Sequence, residues 1–282
     1  MQTTLSTILK RKKRGLKITM LTAYDYPTAK LADAAGIDIV LVGDSLANVV
    51  LGLESTREVG MSEMLHHAKA VRRAVKRALL VGDMPYSSYQ KRPAEAARNA
   101  KRFAREAGCD AVKLEWFPQC LSVARNIRKA GIPVMGHVGL TPQTADKLGG
   151  FKVQGRDAES AAAIIRNAQA LQAAGCFSIV LECIPDAIAR LITKQLKIPT
   201  IGIGAGVHCD GQVLVLYDLL GLSDRFHPKF VKTYAHLGPA VLRAIARYRA
   251  DVAAGRFPSR KYSYSMRREE WEKLKKELGR RS

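Results

Sequence analysis

Aromatic residues make up only 6% of this 282-residue chain, with two tryptophans, so the aromatic-rich basic motifs on which nucleic-acid bases stack are absent. No apolar run approaches the roughly 18 residues a membrane helix needs. The five cysteines (Cys109, Cys120, Cys176, Cys183 and Cys209) are scattered, odd in number and without a C-x-x-C pair. That pattern suits reduced thiols in a cytoplasm rather than a disulfide framework. The N-terminus has no 7-to-15-residue apolar core, which argues against a secretory signal. It does lack acids and carry Ser and Thr, a weak likeness to a transit peptide, but a short helix before the first strand fits it better. No interior Pro/Gly/Ser linker or low-complexity tract divides the chain.

What is present is an ordinary globular composition, 47% apolar and 25% charged, with a formal charge of +21. Residues 1–17 and 256–282 together carry +12 of that charge. Such runs are read first as solvated tails or helix faces. A basic binding module without catalysis is the rival of a different class, docking an acidic partner or RNA.

Short β-branched runs alternate with longer helical patterns, the mark of repeated βα units. Eight runs read as strands: 18–25, 37–44, 78–84, 111–116, 133–138, 178–183, 199–204 and 212–218. Helical patterns fall at 27–35, 61–77, 93–107, 120–130, 157–174, 185–196 and 228–254. Ala-Gly pairs at Gly36, Gly108, Gly131 and Gly175 stand where helices should close. The expected fold is therefore α/β, a closed (β/α)₈ TIM barrel over 1–258, with a short N-terminal helix and a basic helical extension over 259–282. The short step from strand seven to strand eight leaves an open sheet as the fallback.

Barrel enzymes place reactive groups at the C-terminal strand ends. Acids stand there in six of eight cases, Asp25, Asp44, Asp83, Glu115, Glu182 and Asp218, where about one or two are expected by chance. Any one of them can equally be a helix cap. Converging carboxylates repel in a partly dry site, and oxygen ligands without clustered Cys or His favour Mg²⁺ over Zn²⁺. Asp44 and Asp83 form the expected ligand pair, with Glu115 bound directly or through water. Lys113 and Glu115 share one strand face, as do Met135 and His137. Lys113 suits a substrate carboxylate or a developing enolate oxygen, or else balances a buried acid. His137 is a proton donor or a satisfied barrel histidine. Glu182, across the mouth and flanked by apolar residues, suits a general base for carbon acids. The stretch GIGAG (202–206) reads as close-packed backbone before phosphate cradle. His66 and His67 lack metal-ligand spacing.

The segments ITMLTAYDYPTAKLADAAGID, LVGDSL, DMPYSSY, AVKLE, GHVGLTPQ, GGFKVQGR, LVLECIP and IPTIGIGAG, followed by DGQVLV and PKF, resemble the ketopantoate hydroxymethyltransferase family. The likeness runs in order over about residues 3–258, with GHVGLTPQ and KVQGR the most specific motifs. It implies a barrel of the phosphoenolpyruvate/pyruvate type, a Mg²⁺ site and a homodecamer. It also implies hydroxymethyl transfer from 5,10-methylenetetrahydrofolate to 3-methyl-2-oxobutanoate through a Mg²⁺-stabilised enolate, opening pantothenate and coenzyme A synthesis. By matching position it implies Asp44, Ser45, Asp83, Lys113 and His137 as substrate contacts, Asp44 and Asp83 as metal ligands with Glu115 beside the metal, and Glu182 as proton acceptor. The implied partners are a small keto acid and folate, with no membrane and no nucleic acid.

The sequence departs from the family pattern in Ala47-Asn48 after VGDSL, in Trp116-Phe117 after VKLE, and in Tyr217 within LVLYD. The aromatic pair is expected either to pack under the following helix or to place one ring against the pterin. A Mg²⁺-dependent lyase or mutase of the same barrel superfamily is the rival within enzymes.

Overall fold

Most of the apolar runs become strands buried on both faces, as parallel strands under helices must be. The computed structural model describes residues 2–223 and 228–279. Its strands are β1 (Ile18–Thr22), β2 (Ile39–Val42), β3 (Leu79–Asp83), β4 (Ala111–Lys113), β5 (Val134–Gly139), β6 (Ser178–Glu182), β7 (Thr200–Ile203) and β8 (Gly211–Leu214). All neighbours pair in parallel, and β8 returns to β1 with Ile18 opposite Gly211. The ring is closed, which excludes the open sheet.

The helices follow in order. Helix α1 (Leu5–Lys13) precedes β1, and α2 (Tyr26–Ala34), the single turn α3 (Leu46–Val49), α4 (Met61–Ala74), α5 (Pro93–Ala107), α6 (Cys120–Lys129), α7 (Ala158–Ala173) and α8 (Asp186–Gln195) lie between strands. Gly36, Gly108, Gly131 and Gly175 close α2, α5, α6 and α7 with positive φ, a conformation that side chains with a Cβ resist. No helix lies between β7 and β8.

Two boundaries differ most from the sequence pattern. The run expected as a strand to 218 ends at Leu214 and turns into α9 (Leu216–Leu219), because the Leu216 N–H donates to Thr22 Oγ1 at 2.9 Å. The helix expected over 228–254 is α10 (Leu237–Ala253); Pro239 suits its first turn, where a missing N–H costs little. Residues 224–227 lie outside the described residues.

Side-chain alternation along the strands separates two cores. Met20, Leu41, Val81, Met135, Val180 and Ile201 belong to one buried cluster, the barrel interior, and Ile8 of α1 joins it from the floor. Val42, Leu80, Val112, Ile179 and Leu181 belong to the other, under the helices. The inward phase continues upward through Asp83, Lys113, Glu115, His137 and Glu182, so the alternation that builds the core also delivers polar groups to the mouth.

The chain divides into two compact units, 1–234 and 235–282. The first holds the barrel. The second holds α10 and α11 (Arg268–Leu278), neither of which has a buried residue. Helix α10 exposes Leu237, Val241, Ile245, Tyr248 and Val252 at helical spacing. Among the described residues, no helix is long and apolar enough to cross a membrane.

Candidate active site

The C-terminal ends of β2 to β6 converge on a cavity of about 400 Å³ whose walls include Asp44, Ser45, Asp83, Lys113, Glu115, His137 and Glu182. Its size suits a ligand larger than a five-carbon acid alone. Asp44, Asp83, Lys113, Glu115 and His137 are all buried, so electrostatic effects there are strong.

Lys113 and Asp83 form the central pair. Lys113 Nζ donates to both carboxylate oxygens of Asp83 at 2.8 Å. Burial disfavours the Lys113 charge, but Asp83, Asp44 and Glu115 outweigh it and raise the lysine pKa. Burial pushes the Asp83 pKa up to about 7, with Lys113 opposing and Asp44 assisting. Asp44 reaches the pair through its backbone N–H, which donates to Asp83 Oδ2 at 3.3 Å. Glu115 is held well above the usual carboxylate range, first by burial, then by Asp44, Asp83 and Glu182 against Lys113.

His137 stands between two carboxylates, with Nδ1 3.6 Å from Glu115 Oε1 and Nε2 3.3 Å from Glu182 Oε2. Neither ring nitrogen makes a hydrogen bond, and Glu115 Oε1 is also buried without a partner. Burial lowers the His137 pKa, Lys113 adds to the effect and Glu182 resists it. Glu182 keeps 15% of its side chain exposed. Its backbone is gripped from both sides. The Leu140 N–H donates to the Glu182 carbonyl at 2.9 Å. Gly139 has φ +96°, and a Cβ there would collide with that same carbonyl. Cys183, the next residue, has φ +46°, a conformation held only where surrounding structure enforces it. Ser45 Oγ lies 2.8 Å from the Tyr24 hydroxyl.

Two residues at the centre were not singled out from sequence. Gln143 is fully buried; its side-chain amide donates to Asp44 Oδ2 at 2.8 Å and to the Met84 carbonyl at 3.0 Å, and its backbone N–H donates to Glu115 Oε2 at 3.0 Å. Tyr89 completes the joint, its hydroxyl donating to Gln143 Oε1 and accepting from the Glu115 N–H at 3.3 Å. The available signal was GHVGLTPQ, whose last residue is Gln143.

The other strand-end acids are elsewhere employed. Asp25 caps α2, accepting from the Thr28 N–H at 2.8 Å and hydroxyl at 2.6 Å. Asp218 lines the cavity from α9 rather than from a strand. Trp116 packs, half-buried, on the outer core, and Phe117 is buried edge-on to Tyr89, ring centres 5.4 Å apart. Neither ring lines the cavity. The GIGAG glycines are close-packed: a Cβ on Gly202 would meet Cys209 Sγ at 2.9 Å, one on Gly204 Phe230 at 2.7 Å, and one on Gly206 would collide with Asp186.

Among the described residues, no group of three or more His, Cys, Asp or Glu side chains stands in metal-holding geometry. The donor set nevertheless fits a hard divalent cation. Asp44, Asp83 and Glu115 offer only oxygens, Lys113 is the one buried cation on the cavity wall among the described residues, and Glu115 Oε1 lacks a partner.

Closed parallel barrel and acid-lined mouth together define a (β/α)₈-barrel enzyme with carboxylates, a lysine and a histidine gathered at its mouth. Solved structures share the fold: phosphonopyruvate hydrolase aligns over 99% of this chain and 97% of its own, with TM-score 0.62 and 14% identity. A 2,3-dimethylmalate lyase of the PEP mutase/isocitrate lyase superfamily aligns over 99% and 100%, with TM-score 0.59 and 14% identity. A sequence model of ketopantoate hydroxymethyltransferase matches residues 2–260. The 3-methyl-2-oxobutanoate hydroxymethyltransferase of Syntrophomonas wolfei subsp. wolfei is 51% identical over 271 residues, covering 96% of this chain and 98% of that protein. The chain belongs to the ketopantoate hydroxymethyltransferase family.

Proposed function

We propose that the chain converts 3-methyl-2-oxobutanoate, 5,10-methylenetetrahydrofolate and water into 2-dehydropantoate and tetrahydrofolate, the first step of pantothenate synthesis. The observation that carries this reading is the gathering of Asp44, Asp83, Lys113, Glu115, His137 and Glu182 on one cavity wall. The reaction needs a base for the C3 proton, positive charge for the oxygen that becomes anionic, and exclusion of bulk water. Glu182 is the base. It is the one of the four carboxylates with an exposed edge, and it stands apart from the Lys113–Asp83 pair. His137 Nε2 faces the Glu182 carboxylate from 3.3 Å. The Lys113 ammonium neutralises charge on the substrate's carboxylate or keto oxygen, and Ser45 contacts the same end.

Asp44 and Asp83 would hold Mg²⁺, with Glu115 beside it. Bound there, Mg²⁺ supplies Lewis-acid polarisation of the keto group. Gln143 keeps Asp44 and Glu115 aimed at it. The protein works as a homo-oligomer, a decamer by family likeness, and the apolar stripe of α10 supports association. Its five free cysteines support a cytoplasmic location.

Purified protein with Mg²⁺ and both substrates is expected to form 2-dehydropantoate. Without folate, in deuterated water, it should exchange deuterium into C3 and form no product. No product in the complete mixture overturns the transferase; a product from the keto acid alone assigns a lyase or mutase.

A further inference from the structure

Ser45 stands on the cavity wall, but the side chain that holds its hydroxyl does not. The Tyr24 hydroxyl lies 2.8 Å from Ser45 Oγ, while the Tyr24 ring, 1% exposed, belongs to the outer core. That ring has little freedom to move. The Ala23 N–H donates to the Leu41 carbonyl at 3.0 Å, and His67 Nδ1 lies 2.6 Å from the Tyr24 carbonyl, which can only accept. Asp25 caps α2 directly afterwards, and the Tyr217 ring meets Tyr24 edge-on, centres 5.6 Å apart. Ser45 Oγ is confined in turn, since a Cβ on Gly43 would stand 3.0 Å from it.

The direction of the Tyr24–Ser45 bond follows from what lies behind it. Thr22 is a second hydrogen-bond partner of the Tyr24 hydroxyl, and its Oγ1 already accepts from the Leu216 N–H at 2.9 Å. Each hydroxyl has one proton to give, and a phenol is a stronger donor than an aliphatic alcohol. With Thr22 engaged by Leu216, the open acceptor for the Tyr24 proton is Ser45. Burial holds the Tyr24 pKa above its ordinary value, so the phenol keeps that proton. We propose that Tyr24 is a positioning residue for the reaction: it donates to Ser45 Oγ and so aims the Ser45 proton at an anionic oxygen of the keto acid. The role rests on the reading of Ser45 as a substrate contact and adds the residue that orients it. The reverse arrangement, with Ser45 donating to Tyr24, would turn lone pairs toward an anionic substrate and repel it.

The test is a double-mutant cycle in the full-length protein with Mg²⁺: Tyr24→Phe, which keeps the ring, Ser45→Ala, and the two together. The readout is deuterium exchange into C3 of 3-methyl-2-oxobutanoate, measured without folate. The KM for the keto acid should rise about two- to tenfold in Tyr24→Phe, the worth of one neutral hydrogen bond. It should rise about 10- to 100-fold in Ser45→Ala, where a bond to a charged oxygen is lost. The double variant should stay within about twofold of Ser45→Ala, because without the Ser45 hydroxyl Tyr24 has nothing to aim. A merely structural role for the Tyr24 hydroxyl multiplies the two losses instead. Mg²⁺ affinity of Tyr24→Phe, read by calorimetric titration with Mg²⁺ alone, should match wild type. Wild-type KM in Tyr24→Phe, multiplied losses in the double variant, or weakened Mg²⁺ binding in Tyr24→Phe, which routes the effect through Asp44, overturns the positioning role. Failure of the Ser45 reading shows separately, as wild-type KM in Ser45→Ala, and takes the positioning role with it.

Discussion

The two ends of the barrel use the same residue types to opposite effect. At the floor, where the strands begin, Asp33, Asp38 and Asp210 all have donors. Asp33 accepts from the backbone N–H groups of Lys76, Arg77 and Ala78 at 2.8 to 3.1 Å. Burial works against its charge, but these three donors and Arg77 outweigh it and lower its pKa. Asp38 pairs with Arg11 at 2.8 Å and Asp210 with Lys12 at 2.7 Å, so α1 is tied down as it plugs the interior. At the mouth, burial raises the pKa of Asp83 and Glu115, and three buried polar atoms on Glu115 and His137 are unpartnered. The floor acids are held charged by donors that favour the fold, whereas burial at the mouth works against the charge of Asp83 and Glu115.

The sharpest break in that contrast is Asp83→Ala. Turnover should fall to background because Mg²⁺ is no longer held, which calorimetric titration with Mg²⁺ alone checks. The variant should also lose about 3 to 5 kcal/mol of stability, since Lys113 is left buried and unpaired. Retained Mg²⁺ binding would remove Asp83 from the metal site.

Gln143→Leu comes next. It fills the space but leaves Asp44 Oδ2, the Met84 carbonyl and the Tyr89 hydroxyl without their partner. Turnover should fall about 10- to 100-fold and Mg²⁺ affinity should weaken. Normal Mg²⁺ affinity would reduce Gln143 to a packing residue.

At the floor, Asp33→Ala strands three N–H groups and should cost about 3 kcal/mol, or roughly 6 to 12 °C of melting temperature. Its turnover at 25 °C should match wild type. Because the Asp33 pKa is lowered by folding, this stabilisation is complete above the ordinary carboxylate range and is lost as pH falls through the lowered value. Wild type and variant should therefore converge in strong acid.

The smallest effect has the opposite sign. Glu115→Gln should melt a few °C above wild type at pH 8 without Mg²⁺. The Glu115 pKa is raised by folding, so the wild-type penalty is absent below the ordinary carboxylate range and grows as pH rises. The melting temperatures should meet near pH 4. A variant less stable than wild type at pH 8 would mean that Glu115 serves the fold.

The fold was legible because eight near-continuous apolar runs and four helix-closing glycines repeat along the chain. The end of β8 was not, since the turn into α9 depends on Thr22, nearly 200 residues away. The mouth acids were legible for the same periodic reason: strand alternation carries Asp83, Lys113, Glu115, His137 and Glu182 inward. Gln143 and Tyr89 sit on turns after β5 and β3, where no period indicates direction, and their return to the centre is a tertiary event. Asp25 shows the converse, an acid at a strand end whose nearest donors are the first turn of its own helix.

The most direct measurement is deuterium exchange into C3 of 3-methyl-2-oxobutanoate by Glu182→Gln, with Mg²⁺ and without folate. If Glu182 is the base at a mouth built for enolisation, exchange falls about 10²- to 10⁴-fold, while Mg²⁺ affinity and melting temperature stay at wild-type values. Exchange at the wild-type rate contradicts it.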